Sequence, residues 1–399
     1  MARILLRDGA LADGRSPELR LGVSLLLDDG VARWIRPSDA EEDPGPREGL
    51  RVIDASGSTM IPGMVDAHSH VTMPGGAHWI ERGMDPPTSL LAVAEHNARL
   101  LTGAGVRWAR DVGAPVTVDP VDGRRRALSL GVRDRWHGQP GYPEIRAAGT
   151  WVTRAGTLPG ALCAEANDAD ELLSLAMQQL DDGADLVKLY LDGPDPATAP
   201  WSAAEVRRVV EAAHGRAARV TAHSTRLNGT QVCAEAGVDA IEHGFEIDAD
   251  LGAALARQGT AVVSTLAVFR SRITFAATTR LPRFASAVGR ATVLERYAQA
   301  RDSIAIAHRA GVPIAAGTDF GGGSGRANHL AWEVESLVEA GLEPWEALGA
   351  ATWRGGQLLG EPDAGSIHEG RPASIALVHG DPLGDPAALW RVWWVSWAG

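Results

Sequence analysis

Cysteine is nearly absent: Cys163 and Cys233 are the only two in 399 residues. They form no CxxC pair and no disulfide framework, which points to a reducing, cytoplasmic setting. Long hydrophobic runs are missing as well. No stretch approaches the roughly 20 apolar residues of a membrane span. The start, MARILLRDGALADG, shows no apolar segment followed by a cleavage site, so neither export nor a membrane partner is expected. Positive charge is in deficit, with 38 Lys and Arg against 50 Asp and Glu and a net charge of −12. That balance argues against nucleic acid, whose recognition favours basic faces. The one basic cluster, Arg124-Arg125-Arg126, sits beside Asp119 and Asp122 and reads as a solvated loop. No internal repeat, heptad run or low-complexity tract breaks the chain into modules.

What is present is a foldable apolar fraction, 45% of residues, in a chain long enough for one large domain or two ordinary ones. The first 60 residues read as β-rich: ARILLRDGAL, LGVSLLLDDG and LRVIDASGSTMI are short runs broken by Asp-Gly and Ser-Gly turns, with a polar loop over 38–49. From about 63 to 355, strands alternate with amphipathic helices. The strands are expected at 63–70, 106–112, 145–149, 186–191, 219–223, 239–243, 261–265 and 313–318. Helices include 168–183, 202–215 and 298–311, and Gly105, Gly183, Gly237, Gly259 and Gly311 sit where helices should stop. Eight strands, each followed by helical material, predict an α/β fold of the (β/α)8 TIM barrel type. The tail (ASIALVHGDPL, WRVWWVSWAG) returns to strands. The expected organisation is therefore 1–61 and 357–399 as two parts of one small β-sandwich, flanking a barrel over 62–356.

Within MIPGMVDAHSHV, His68 and His70 are two apart, so on a strand they share a face. Two imidazoles side by side make half of a zinc-type site. Barrel enzymes keep their chemistry at C-terminal strand ends, which gives a filter for the other half. In LVKLYL, Val187, Leu189 and Leu191 form the outward apolar face, leaving Lys188 and Tyr190 inward. An inward lysine is costly unless its charge is paired, removed or used. In ARVTAHS, Thr221 and His223 face in; His243 ends DAIEHG, and Asp319 closes VPIAAGTDF. The inward polar set is His68, His70, Lys188, His223, His243 and Asp319. The competing readings are a buried Lys188–Asp319 ion pair and a His243 bonded to backbone at a turn.

With its motifs PGMVDAHSH, GADLVKLY, VTAHS, VDAIEHG and GTDFG, the whole chain resembles the amidohydrolase superfamily, and most closely its imidazolonepropionase-like and prolidase-like metal-dependent hydrolases. The resemblance implies that His68, His70 and Asp319 hold one divalent ion and His223 and His243 a second. It further implies that N6-carboxylated Lys188 bridges the two. Two ions ~3.5–4 Å apart can share one water and bring its pKa from ~16 toward ~7. The metal-bridging hydroxide so formed is the nucleophile, with Asp319 as general base and acid. Zinc is the expected metal for a His-rich set, with manganese, cobalt and iron as alternatives.

The expected activity is binuclear metal-dependent hydrolysis of an amide C–N bond in a small molecule: an N-acyl amino acid, a dipeptide-like compound or a cyclic amide. Opening of a lactone or ester, or a non-hydrolytic reaction on the same site, is the alternative, and a non-catalytic scaffold is a third. Candidate substrate contacts are Tyr190, on the inward face beside Lys188; His329, at a helix start after the last strand; His78, in the loop after the first; and Arg154, able to pair with a carboxylate. Thr225 is a fifth candidate contact: dipeptidase-like relatives carry a substrate-contacting tyrosine there, and RAGTLPG lacks their Gly-Gly-His element, so ordinary dipeptidase activity is not expected. The outer helices could support a homo-oligomer.

Overall fold

The computed structural model describes all residues except 1, 2, 47, 324, 398 and 399. The first residue of the run ARILLRDGAL, one residue of the expected polar loop and the last two of WRVWWVSWAG therefore lie outside the described residues. All eight expected strands form, as Met64–Ser69, Val106–Asp111, Glu144–Ala147, Leu186–Tyr190, Arg219–Ser224, Ala240–His243, Ala261–Ser264 and Ile314–Ala316. They pair in parallel within a three-stranded and a seven-stranded sheet. Hydrogen bonds join these sheets on both sides: Asp185 N to Ala147 O (2.8 Å) on one, and His70 N to Phe320 O (3.0 Å) and Asp319 N to His68 O (2.9 Å) on the other. That arrangement fits a barrel.

Continuous apolar runs make these strands because both faces are covered. Val187, Leu189, Val220, Ala222, Ile241 and Val262 pack outward into the main core, as the alternation requires. Inside, Ala67, Ala240, Val263 and Ala315 form a layer of small side chains, leaving room for the larger polar groups near them. The third strand differs from expectation. It stops at Ala147 and resumes as Trp151–Arg154, which pairs with an additional strand, Cys163–Ala166. Gly149 breaks the run: its φ of 79° suits glycine, and a Cβ there would lie 2.6 Å from Gln179 Oε1.

Helix Ala169–Asp181 starts at Asp168, whose carboxylate accepts from the Asp170 and Glu171 amides, and Ala203–His214 starts with a Ser202/Glu205 capping box. The helix expected at 298–311 is Ala287–Arg309, because Ser286 caps it a full three turns earlier. Arg126 corrects the solvated-loop reading: it is buried and ion-paired to Asp122 and Asp134, on a short hairpin of Val116–Val118 with Arg125–Ala127.

The two chain ends meet in one mixed seven-stranded sheet, where Ile375–His379 runs antiparallel to Ser58–Pro62. Cys163 and Cys233 are free thiols. Among the described residues, no helix is long and apolar enough to cross a membrane.

Candidate metal centre

The strand ends bring the six residues of the inward set together. His68, His243 and Asp319 offer ligand atoms that all lie within 4.8 Å of one another. His70 joins them, with Nε2 3.3 Å from Asp319 Oδ1, matching the 3.4 Å of His68 Nε2. The His223 ring stands 4.5 Å from that of His243. Lys188 is 1% exposed, and its Nζ has no hydrogen-bond partner. It is therefore not the ion-pair partner of Asp319.

Each histidine has one ring nitrogen tied to an acceptor. His68 Nδ1 meets Glu242 Oε2 at 2.6 Å, His70 Nδ1 meets Gly113 O at 2.8 Å, His223 Nε2 meets Asp192 Oδ2 at 3.1 Å, and His243 Nδ1 meets Thr265 Oγ1 at 2.8 Å. The turn-backbone reading of His243 thus fails, since its partner is the hydroxyl of Thr265, just past the end of the next strand. An acceptor on one nitrogen fixes the tautomer and leaves the other as a lone pair, the arrangement found behind metal-bound histidines.

At His68, burial is outweighed by Glu242 and Asp319, which raise its imidazole. Burial lowers the Lys188 amine to about 8, with nearby Arg110 pulling the same way against Glu242. Burial, His223 and His68 hold His243 well below the usual imidazole range, so it is neutral. Burial raises Asp319, but hydrogen bonds from His68 and His70 outweigh it and keep the carboxylate ionised. At Glu242, burial is likewise outweighed by Arg110, Lys188 and His68.

Alternation along the strands missed Glu242, Arg110 and Asp192. By alternation either Glu242 or His243 should face inward, not both. His243 has a φ of 73°, however, which swings its side chain round to the same end. Glu242 then stays inside, bonded to Thr221 Oγ1, His68 and the Arg110 guanidinium. Asp319 is also left-handed, with φ 52°. Non-glycine residues in this region concentrate at functional sites. One pattern in the composition would have singled out the lysine: of 38 Lys and Arg residues, Lys188 is the only lysine.

The candidate substrate contacts separate. Tyr190 stacks on His223 at 3.8 Å, and Thr225 donates to Asp192, so both support His223. Arg154 lies over Trp201 at 4.7 Å. His78 is an exposed residue preceding the short helix Trp79–Arg82, and His329 packs on Trp332 at 4.3 Å. None of these last three has a recorded contact with the histidine cluster.

Changing Glu242 to Gln should weaken metal affinity about 10–100-fold through loss of His68 orientation. It should also cost on the order of 3 kcal/mol of stability, because Arg110 is left buried without its counter-charge. Metal titration and chemical denaturation check the two effects separately.

The sequence profile of the amidohydrolase family matches residues 59–396. A Mycobacterium tuberculosis protein described only as uncharacterised is 29% identical over 387 residues, 94% of each chain. An imidazolonepropionase of Anaeromyxobacter dehalogenans is 26% identical over 409 residues, covering 94% of this chain and 89% of its own. The crystal structure of a prolidase complexed with N-methylphosphonate-L-proline superposes with a TM-score of 0.83 at 22% identity, over 100% of this chain and 98% of that one. With the histidine pair, the buried lysine and the terminal aspartate converging as described, this chain belongs to the amidohydrolase family and is a hydrolytic enzyme.

Proposed function

We propose that the protein is a binuclear metal-dependent hydrolase that cleaves an amide C–N bond in a small substrate. It would do so from a (β/α)8 barrel over 62–356, flanked by a β-sandwich built from 1–61 and 357–399. The single observation that carries this reading is the histidine geometry: four rings, each with one nitrogen tied outward to an acceptor, gathered around Asp319 and an unpartnered buried amine. His68, His70 and Asp319 would hold one ion and His223 and His243 the other, zinc by donor type. The buried amine fits the same pair. Neutral Lys188 Nζ would add to the carbon of carbon dioxide: an N–C bond forms as one C=O π pair moves onto oxygen, Nζ gives a proton to solvent, and the carbamate shares a single negative charge over two oxygens. When bound, the two ions supply an acidified water and an electrophile for the scissile carbonyl oxygen.

The chain's own groups do the rest. The Asp319 carboxylate takes the proton of the attacking water and delivers it to the departing nitrogen. Glu242 and Asp192 keep His68 and His223 in one tautomer throughout. Relatives named imidazolonepropionase and prolidase support a C–N bond as the target.

Metal analysis and turnover in oxygen-18 water test this together. Two ions per chain and one labelled oxygen in the acid product are expected, with both metal and turnover lost to a chelator and restored by zinc. An unlabelled product would remove hydrolysis from consideration.

A further inference from the structure

Next to the centre, on the side of the seventh strand, lies a cavity of about 350 Å³ lined by Arg272, Arg283 and Arg296 and, among the described residues, by no Asp or Glu. In a chain of net charge −12 this concentration of one sign is unusual. Arg283 is spent on the Ala77 carbonyl and the face of Phe284, and Arg296 is exposed. Arg272 is different. It is half-buried on helix Ala267–Thr278, makes no hydrogen bond or ion pair with any described residue, and has only the ring of Phe269, 5.6 Å away, for company.

A guanidinium offers five donors in a planar fork, and at Arg272 no described protein group takes them, so they stay open to whatever enters the cavity. Burial pulls its pKa down to about 10, against the opposing pull of Asp319, with Arg296 and Arg283 adding repulsion. The same cavity reaches the reacting end. Gly323 lines it, and a Cβ at Gly323 would sit 2.0 Å from Asp319 Oδ2, so the cavity wall touches the Asp319 carboxylate.

We infer that Arg272 is the specificity residue for a carboxylate on the substrate, with Phe269 and Phe284 packing against an apolar group beside it. This rests on the amide-hydrolase reading and narrows it to substrates with a free acid near the scissile amide. It also moves carboxylate recognition from Arg154, whose guanidinium covers Trp201, to the loop and helix after the seventh strand. The fork matches a carboxylate in two parallel hydrogen bonds, and since Asp319 acts on Arg272 only at a distance and no described acid ion-pairs with it, the substrate is left as its direct counter-ion.

The test uses the purified metal-loaded protein. Calorimetric binding of benzoate is compared with that of benzamide, and kcat/KM for N-acetyl-L-phenylalanine with that for its C-terminal carboxamide. In the wild type the acid should win each pair by at least about tenfold. Arg272→Gln should bring both ratios to near unity, with the loss carried mainly by KM. Arg272→Lys, which keeps the charge but not the fork, should fall between, and it decides the matter if circular dichroism shows the glutamine variant misfolded. Equal ratios in the wild type, or benzoate binding indifferent to both substitutions, would overturn the inference. Benzoate has no amide to break. Arg272-dependent benzoate binding in a protein that cleaves no amide would therefore sink the amide reading alone, whereas amide cleavage with no preference for the acid would sink this inference alone.

Discussion

Lys188→Arg is expected to lower turnover by roughly 10³-fold or more, corresponding to the several kcal/mol that an ion supplies in polarising a carbonyl. The substitution keeps a basic side chain at the position but removes its ability to become a neutral nucleophile. Arginine stays protonated in proteins and cannot add carbon dioxide. A permanent cation would then stand among His68, His223, His243 and Asp319, where the free amine has a pKa of about 8. Metal content should fall with activity. Lys188→Ala provides the positive control: it leaves a space beside the ligands that formate or acetate can enter, so millimolar short carboxylate should restore part of both metal binding and turnover. Full activity and full metal occupancy in Lys188→Arg would rule out the bridge.

Asp319→Asn should lower kcat by about 10²–10⁴-fold, the usual contribution of a positioned general acid–base group. The two side chains are nearly isosteric, so the left-handed backbone at φ 52° should survive, because asparagine accepts that conformation readily. What is lost is the charge that His68 and His70 both face at 3.3–3.4 Å, and with it an anionic ligand of one ion, so metal content is measured alongside turnover. KM should move far less than kcat, and the melting temperature should stay close to that of the wild type. Steady-state kinetics with parallel thermal melts separate catalytic loss from unfolding; wild-type turnover in this variant would remove Asp319 from proton transfer.

Much of this is legible in the sequence alone. Covered parallel strands announce themselves as apolar runs, and Gly237 and Gly259 end their helices in the left-handed conformation expected of them. Strand alternation also found Lys188 and His223, because regular backbone dictates side-chain direction. It failed where the backbone is irregular. Glu242 is hidden by the turn at His243, and the strand Trp151–Arg154 escapes the reading of 145–149 because it follows a break at Gly149 that depends on a distant Gln179. Asp192 and Arg272 lie beyond strand ends, where direction is set by tertiary packing. The cap at Ser286 is missed for a simpler reason: a serine twelve residues before a periodic stretch carries little local pattern. Arg154 shows the converse error, since in the sequence its guanidinium looks available, whereas it ends the strand Trp151–Arg154 and lies over Trp201.

The buried, solitary lysine has a practical consequence. Feeding cells lysine labelled with nitrogen-15 at the side-chain amine would give a protein whose side-chain spectrum holds one resonance, coming from the site itself. Adding carbon-13 bicarbonate should split that resonance through the new N–C bond and light up one carbonyl line. Apart from the α-amino terminus, no other amine in the chain could contribute background. The state of this group could thus be followed in solution, with and without metal, before any substrate is known.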